Sequence, residues 1–440
     1  MKRYDSYKDS GVEWIGEVPS HWEIVRMKYL FVRSKAGIWG EEEKGNLHDI
    51  VCFRIADFDY QHGCLKFDNL TLRNIEQKQL DDHILYKTDL LIEKSGGGDS
   101  TPVGRVVRYN YDSLSVCSNF IHFVSVGNGS YYNYIYYYFN SLYSNKINML
   151  YFNQTTGIQN LKIGEYLSQR IYIPSFYEQR QIASYLDKKC DEVDKVISTQ
   201  EKRIALLQEL KQSIITHTVT KGLNPDVKMK DSGIEWIGKI PVHWVAYKTS
   251  LVFNKIGSGT TPKSSEKSYY YDEGYYWLQT GDLNDGEIND TSKKITKKAV
   301  VECKMIFYPK GSIVIAMYGA TIGKLGLLNI NTSTNQACCV LCPSKKINNK
   351  FAFYIYKSAK QELLLDAMGG GQPNISQDII KKLSIPIPPI QEQQEIASYL
   401  DKRCAQIDAS ISKAQKEIEL LQEYKQSLIT EVVTGKRKVC

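Results

Sequence analysis

The sequence predicts an α+β protein: two globular domains, mixed α/β and β-rich, separated by two long helices packed as an antiparallel coiled coil. The two halves form a pseudo-twofold internal repeat. Three observations carry this. Residues 7–22 (YKDSGVEWIGEVPSHW) return as residues 229–244 (MKDSGIEWIGKIPVHW). Residues 179–220 return as residues 393–434 at about 60% identity, which marks an internal duplication. Between these blocks lie two long segments nearly unrelated to each other. One frame carries two different inserts, and a two-part target is the simplest reason to keep the one and vary the other.

The second shared block reads as a long helix. Val193, Ile197, Gln200, Ile204, Leu207, Lys211 and Ile214 step by alternating fours and threes, and Ile407, Ile411, Ala414, Ile418, Leu421, Lys425 and Leu428 step identically. This is a heptad seam held for about three heptads. Each helix starts just after a proline-marked strand end, with Glu178 or Glu392 in the first turn, where the helix dipole favours an acid. Lys211 and Lys425 fall on equivalent seam positions. Their stems can cover the seam while the ammonium reaches water, and they can fix register and partner; the two readings are not exclusive. Leu186, Ile197, Ile204, Leu207, Lys211, Leu400, Ile411, Ile418, Leu421 and Lys425 are the residues expected to pack the helices or dock partners. The expected division is residues 1–174 for the N-terminal domain, 175–220 for the central helix, 221–387 for the C-terminal domain and 388–440 for the last helix.

Strands are expected in the inserts at residues 50–54, 89–92 and 121–124, with counterparts at 276–280, 312–316 and 337–341. Helices are expected at 131–148 and 349–368. The chain holds 31 tyrosines, many of them in residues 131–151. At helical spacing they read as core with a wet hydroxyl rather than as base-stacking platforms. Cys338, Cys339 and Cys342 lie in an apolar run without a second Cys/His pair, so a buried strand is expected and no metal site.

Of 440 residues, 42% are hydrophobic and 24% charged, as in an ordinary soluble protein of several domains. No apolar run approaches the ~18 residues of a membrane span, and the first residues lack a signal-peptide core, so a cytoplasmic location is expected. The net charge of +7 is concentrated in residues 247–382, which permits nucleic-acid binding without requiring it.

Catalytic motifs fail one by one. Gly319 to Lys324 has three residues between its glycines, not four, and Leu325 stands where a P-loop needs Ser or Thr. No G-x-G-x-x-G follows a strand. Asn224-Pro225-Asp226-Val227 lacks the aromatic that holds a flipped base. Glu302-Cys303-Lys304 lacks a paired acid. His21 and His243 have no nucleophile partner and read as structural His-Trp corners.

Two motifs carry a resemblance. The opening D-S-G-[VI]-E-W-I-G-x-[VI]-P-x-H-W recurs at mid-chain. The helix entry P-x-x-x-E-Q-x-x-I-A-x-x-L-D stands at residues 174–187 and 388–401. Together, in order and over the whole chain, they resemble the specificity subunits of type I restriction-modification systems. The resemblance implies a non-catalytic reader of double-stranded DNA. Each insert would be a target recognition domain for one half of a bipartite, asymmetric site. The helices would set the spacing and dock two modification (methyltransferase) subunits, which restriction subunits join. S-adenosylmethionine, ATP and magnesium would be used by those partners, with no cofactor or metal in this chain. Candidate DNA-contacting residues lie on glycine-bearing and polar loops: Lys94, Ser95, Gly97, Arg105, Gln154, Thr155 and Thr156 in the first domain. In the second they are Ser258, Thr260, Thr261, Lys263, Tyr318, Lys324 and Gln372. The competing reading is a coiled-coil scaffold whose two variable domains bind proteins.

Overall fold

The computed structural model describes residues 2–98, 100–127, 129–155, 157–365 and 374–439, with Thr155 and Asp272 described by backbone alone. The first insert builds β1 (Phe31–Ala36), β2 (Asp49–Phe53), β3 (Leu72–Asn74), α1 (Gln77–His83), β4 (Asp89–Glu93), β5 (Ser95–Gly96), β6 (Val106–Arg108), β7 (Ser115–Cys117) and β8 (Ile121–Val126). It continues with α2 (Tyr132–Ser144) and a hairpin of β9 (Phe152–Thr155) and β10 (Ile158–Leu161), before the long helix α3 (Phe176–Lys221). The second insert builds β11 (Ile256–Ser258), β12 (Tyr270–Leu278), β13 (Gly286–Ile288), β14 (Lys294–Ile295), α4 (Lys297–Glu302), β15 (Phe307–Tyr308) and β16 (Ile313–Ala316). After these come β17 (Leu325–Leu328), β18 (Thr332–Thr334), β19 (Cys338–Leu341), α5 (Asn349–Ser358), α6 (Gln377–Lys382) and the long helix α7 (Ile390–Val433).

The unrelated-looking inserts share one topology. A sheet ordered β6-β4-β8-β1 in the first matches β17-β16-β19-β11 in the second, which β13 extends, and β7-β2-β3 matches β18-β12-β14, which β15 extends. Both smaller sheets hold one parallel pair at equivalent places, β7 on β2 and β18 on β12. The central strands are buried on both faces, so they read as continuous apolar runs. Leu90 and Ile92 face one core while Leu91 faces the other. In the second domain Ile313, Ile315 and Cys339 face one core, and Val314, Ala316, Cys338 and Val340 the other. The cysteine run is therefore a buried strand, as expected, and burial pushes the Cys339 thiol up to about 12.

The chain divides into two compact units, residues 1–201 with 415–440, and residues 202–414. This cut differs from the four segments expected from the sequence, because each domain core takes in pieces of both long helices. Leu428, Ile429, Val432 and Val433 of α7 join Ile182, Ala183 and Leu186 of α3 in the first core. Ile215 and Val219 of α3 join Ile396, Ala397 and Leu400 of α7 in the second. Leu186 and Leu400, expected to pack the helices or dock partners, are fully buried core residues.

The helix-entry motif grips each domain at equivalent points. Glu178 accepts from Trp22 Nε1 (3.3 Å) and sits 3.0 Å from His21 Nε2. Glu392 does the same for Trp244 (3.1 Å) and His243 (2.8 Å). These are the structural corners expected. Gln179 Oε1 accepts from the Tyr131 backbone at the start of α2 (2.9 Å), as Gln393 Oε1 does from Asn348 before α5 (2.7 Å). Asp187 accepts from Tyr137 Oη (2.8 Å) and Asp401 from Tyr354 Oη (2.9 Å). Tyr134, Tyr136, Tyr137 and Tyr138 of α2 are core, and two of their hydroxyls are tied to protein, since Tyr134 Oη donates to the Val433 carbonyl, besides the Tyr137 bond. The helix expected at 349–368 is interrupted, with α5 ending at Ser358 and a short helix, Lys360–Leu365, following.

Within the first unit α3 and α7 run antiparallel, since Asp194 meets Lys425 while Gln200 meets Glu417. Lys425 Nζ lies 2.7 Å from both Asp194 oxygens. Within the second unit Lys211 Nζ lies 2.6 Å from both oxygens of Asp408. Asp194 and Asp408 are themselves equivalent in the repeat, so one ion pair is made twice. Each lysine head is tied to an aspartate of the facing helix, and each lysine side chain is about a fifth exposed. Ile197 is buried, and Ile204, Leu207, Ile411, Ile418 and Leu421 are half-buried along the seam. Leu206, Leu210, Leu420 and Tyr424, at equivalent positions of the two copies, stay exposed.

His122 on β8 lies 2.9 Å from Ser34 Oγ, and burial, helped by the Lys94 charge, lowers its pKa from 6.5 to about 4. The folded state thus prefers neutral His122, whereas the unfolded chain takes up a proton near pH 6.5. This contribution is complete above pH 6.5 and is lost as pH falls toward 4, by about 3 kcal/mol in all. Unfolding midpoints of His122→Gln should fall less steeply than the parent's over that window. Parallel curves would refute the assignment.

Candidate nucleic-acid interface

The candidate loops converge at one end of the larger sheet in each domain. In the first, β4 ends at Glu93, and the Lys94 and Ser95 backbone amides donate to the Phe120 carbonyl before β8. The β9–β10 hairpin then pairs with β5, Ser95 opposite Asn160 and Gly96 opposite Gln159. Ser95 and Gln154, drawn from two distant loops, thus share one small sheet, β5-β10-β9, with Lys94 and Gly97 flanking its short strand. Gly97 has φ +65°, and a Cβ there would press on Gln159 Oε1 and the Val103 amide, so its glycine serves the turn. Ser95 is buried, with its hydroxyl on Asn160 (2.7 Å), whereas Gln154 is exposed. Thr155 pairs through its backbone with Ile158; Thr156 lies outside the described residues.

Arg105 does not offer a free charge. Its guanidinium bonds both oxygens of Glu93 (2.8 and 3.2 Å) and stacks on Tyr60, 3.6 Å from the ring centre. Burial opposes that charge, but Glu93 outweighs it and the pKa is raised. Arg105 therefore acts as a structural strut for Glu93 rather than as an unpaired cation. The strand before it needs this counter-charge, since Glu93 is almost fully buried.

In the second domain the same sheet end collects Ser258, Thr260, Thr261 and Lys263 with the loop from Tyr318 to Lys324. The Met317 amide donates to the Ala337 carbonyl, and the Ile375 amide to Met317. Ser258 Oγ accepts from Gln377 (2.6 Å), Thr260 O accepts from Trp277 Nε1 (3.1 Å) and Thr261 Oγ1 donates to the exposed Gln336. Lys263 is exposed and Lys324 half-buried, and neither forms an ion pair among the described residues. Tyr318 is exposed. Gln372 and the preceding three glycines lie outside the described residues.

Some glycines near these loops serve protein backbone instead of a ligand. A Cβ on Gly259 would sit 1.7 Å from the Thr334 carbonyl, and one on Gly37, its first-domain equivalent, 2.2 Å from that of Cys117. Both glycines let a strand end cross protein backbone, not a phosphate. Sequence reasoning also missed exposed Asn153 and Asn160, which face each other across β9 and β10, and exposed Asn119. Asn side chains suit the adenine edge, and their cross-strand pairing becomes visible only with the hairpin register. Lys293, Lys294, Lys297 and Lys298 were missed as well, although they lie within the basic stretch 247–382.

Among the described residues nothing assembles a reaction centre. A cleft of about 680 Å³ in the first unit is lined by Arg108, Asp187, Asp194 and Lys425 among others. Those charges already pair with each other. Among the described residues no group of three or more His, Cys, Asp or Glu could hold a metal ion, and no helix is long and apolar enough to cross a membrane.

Two domains of one topology, each presenting different polar loops from the same sheet end, define a duplicated recognition protein. The family model described as the type I restriction modification DNA specificity domain matches the chain twice, at residues 19–209 and 241–420. The chain belongs to that family, the specificity subunits of type I restriction-modification systems. It is 30% identical over 192 residues to the MjaIX specificity subunit of Methanocaldococcus jannaschii, covering 42% of this chain and 43% of that one. With the MjaVIII specificity subunit of the same organism it shares 28% over 294 residues, 64% of this chain and 66% of that one. The chain thus spans less than two thirds of either relative's length in these matches. Its fold resembles a chain solved in work on complex assembly and conformational transition of the type I R-M system. That match has TM-score 0.73 and 16% identity, over 94% of this chain and 98% of that one. It also resembles the HsdS subunit from Thermoanaerobacter tengcongensis, with TM-score 0.50 and 15% identity, over 96% of this chain and 98% of that one.

Proposed function

We propose that this chain is the non-catalytic reader of a bipartite, asymmetric duplex DNA site, one half per domain. One observation carries the reading: the gripping frame is repeated residue for residue, while the loops at the equivalent sheet ends differ. Base edges would be read by neutral polar side chains such as Asn153, Gln154, Asn160 and Gln336, with lysines holding phosphates. The helices, 46 and 44 residues long, would set the spacing between half-sites. Exposed Leu206, Leu210, Leu420 and Tyr424 offer apolar surface for two modification subunits, which restriction subunits would join. S-adenosylmethionine, ATP and magnesium would be bound by those partners.

Selection of bound sequences from random duplex DNA, with the chain and its modification subunits, tests this. An interrupted two-part site is expected. Exchanging residues 25–170 for another member's domain should then change one half only. A hybrid that alters both halves would overturn the two-reader proposal, and a folded complex that selects no sequence would favour protein-binding inserts.

A further inference from the structure

We infer that β14 and α4 of the second domain form a phosphate-gripping face for duplex DNA that the equivalent element of the first domain does not share, making the second domain the main source of salt-sensitive affinity. This rests on the DNA-reading function proposed above and assigns a division of labour within it.

The two equivalent elements differ in charge. Residues 293–304, spanning β14 and α4, carry Lys293, Lys294, Lys297, Lys298 and Lys304 against one acid, Glu302. Residues 72–83, spanning β3 and α1, carry Arg73 and Lys78 against Glu76, Asp81 and Asp82. Arg73 is moreover engaged, donating to the Trp39 and Gly40 carbonyls (3.1 and 3.3 Å) and stacking on Trp39.

The lysines of β14 and α4 form no ion pair among the described residues. Lys293, Lys297, Lys298 and Lys304 are exposed. Lys298 Nζ donates to Ser268 Oγ (3.0 Å) and lies over Tyr269, while Lys294 lies over Tyr276. Of the acids nearby, Glu302 accepts from Tyr269 Oη (2.8 Å), and Glu266 accepts from Ser268 Oγ (2.5 Å) and feels the Lys298 charge, so the lysines still outnumber the acids beside them. Five ammonium groups on twelve residues repel one another, and polyanionic phosphate relieves that repulsion. Lysine holds phosphate as a point charge and says nothing of base identity, which suits a gripping role.

The face adjoins the candidate interface. The Thr296 amide, which precedes α4, donates to the Tyr269 carbonyl, and Tyr270 Oη donates to the Pro262 carbonyl (2.7 Å), within the loop that ends at Lys263. Trp277 Nε1 on the same strand, β12, holds Thr260. Lysine face and polar loop are thus tied to one strand.

The test uses the full chain, a 30-base-pair duplex of random sequence as probe, and binding measured between about 50 and 300 mM salt. Each phosphate contact contributes roughly 0.9 to the slope of log affinity against log salt. Joint replacement K293Q, K294Q, K297Q and K298Q should flatten the slope by about 2 to 3 and weaken binding more than tenfold at 100 mM salt. A control with the same charge change, K66Q, K78Q, K146Q and K188Q, should leave the slope within about 0.5. Thermal unfolding should match the parent's for both variants, and DNA should protect the four lysines from acetylation in the parent. Equal slopes in the two variants, or lysines unprotected by bound DNA, would overturn the face while leaving DNA reading intact. A parent that binds no duplex at any salt would overturn both.

Discussion

Leu186→Ala and Leu400→Ala should each lower the unfolding free energy of their own unit by about 3 to 5 kcal/mol, the range for leucines truncated in tight cores. Both side chains are fully buried, among Ile182 and Leu428 in one unit and Ile396 and Ile215 in the other. Chemical denaturation followed by hydrogen exchange in each unit would read the loss. Leu206→Asp and Leu420→Asp make the contrast, because these leucines are 65% and 53% exposed. Their unfolding should move by no more than about 0.5 kcal/mol, as for surface changes. Modification-subunit binding should instead fall. A large loss of stability at Leu206 or Leu420 would show those faces already covered within the chain.

Lys425→Met should cost about 2 to 3 kcal/mol, and the charge swap Lys425→Asp with Asp194→Lys should restore most of it. The Lys425 and Asp194 side chains are 20% and 15% exposed, so removing the lysine strands a half-desolvated carboxylate. The sister pair is wetter, Asp408 being 54% exposed, and Lys211→Met should cost less than about 1 kcal/mol. A double-mutant cycle on each pair reads the coupling directly. Equal coupling in the two would mean that exposure does not set the strength of these bonds.

The frame was legible in the sequence because it is written twice. The repeated Glu, Gln, Ile, Leu and Asp of the helix entry could be aligned with their copies, and the three-four stepping exposed the seam. The central strands were legible as apolar runs. That the inserts share a topology was not, since burial on two faces constrains hydrophobicity and length but leaves identities free. The candidate site was legible only as loops. Arg105 looked like a free cation because its partner, Glu93, is twelve residues away and paired through the register of β4 with β6. Asn153 and Asn160 became partners only through a hairpin whose register no composition reveals. The need for glycine at position 259 was hidden because the backbone it crosses, at Thr334, lies 75 residues further along.

The first core includes Leu428, Ile429, Val432 and Val433, residues that leave the ribosome only after the entire second domain has been made. The Tyr134 hydroxyl finds its acceptor 299 positions downstream. During synthesis, then, the domain that emerges first keeps an apolar slot open until the end of α7 has been made, while the second domain can close its own core from residues already made. Order of synthesis and order of completion are reversed. A message broken just before these residues would therefore yield a chain with a finished second domain and an unfinished first one, whose bare valines and isoleucines mark it for chaperones and proteases. The last turns of α7 act as a check that translation has carried through to that helix.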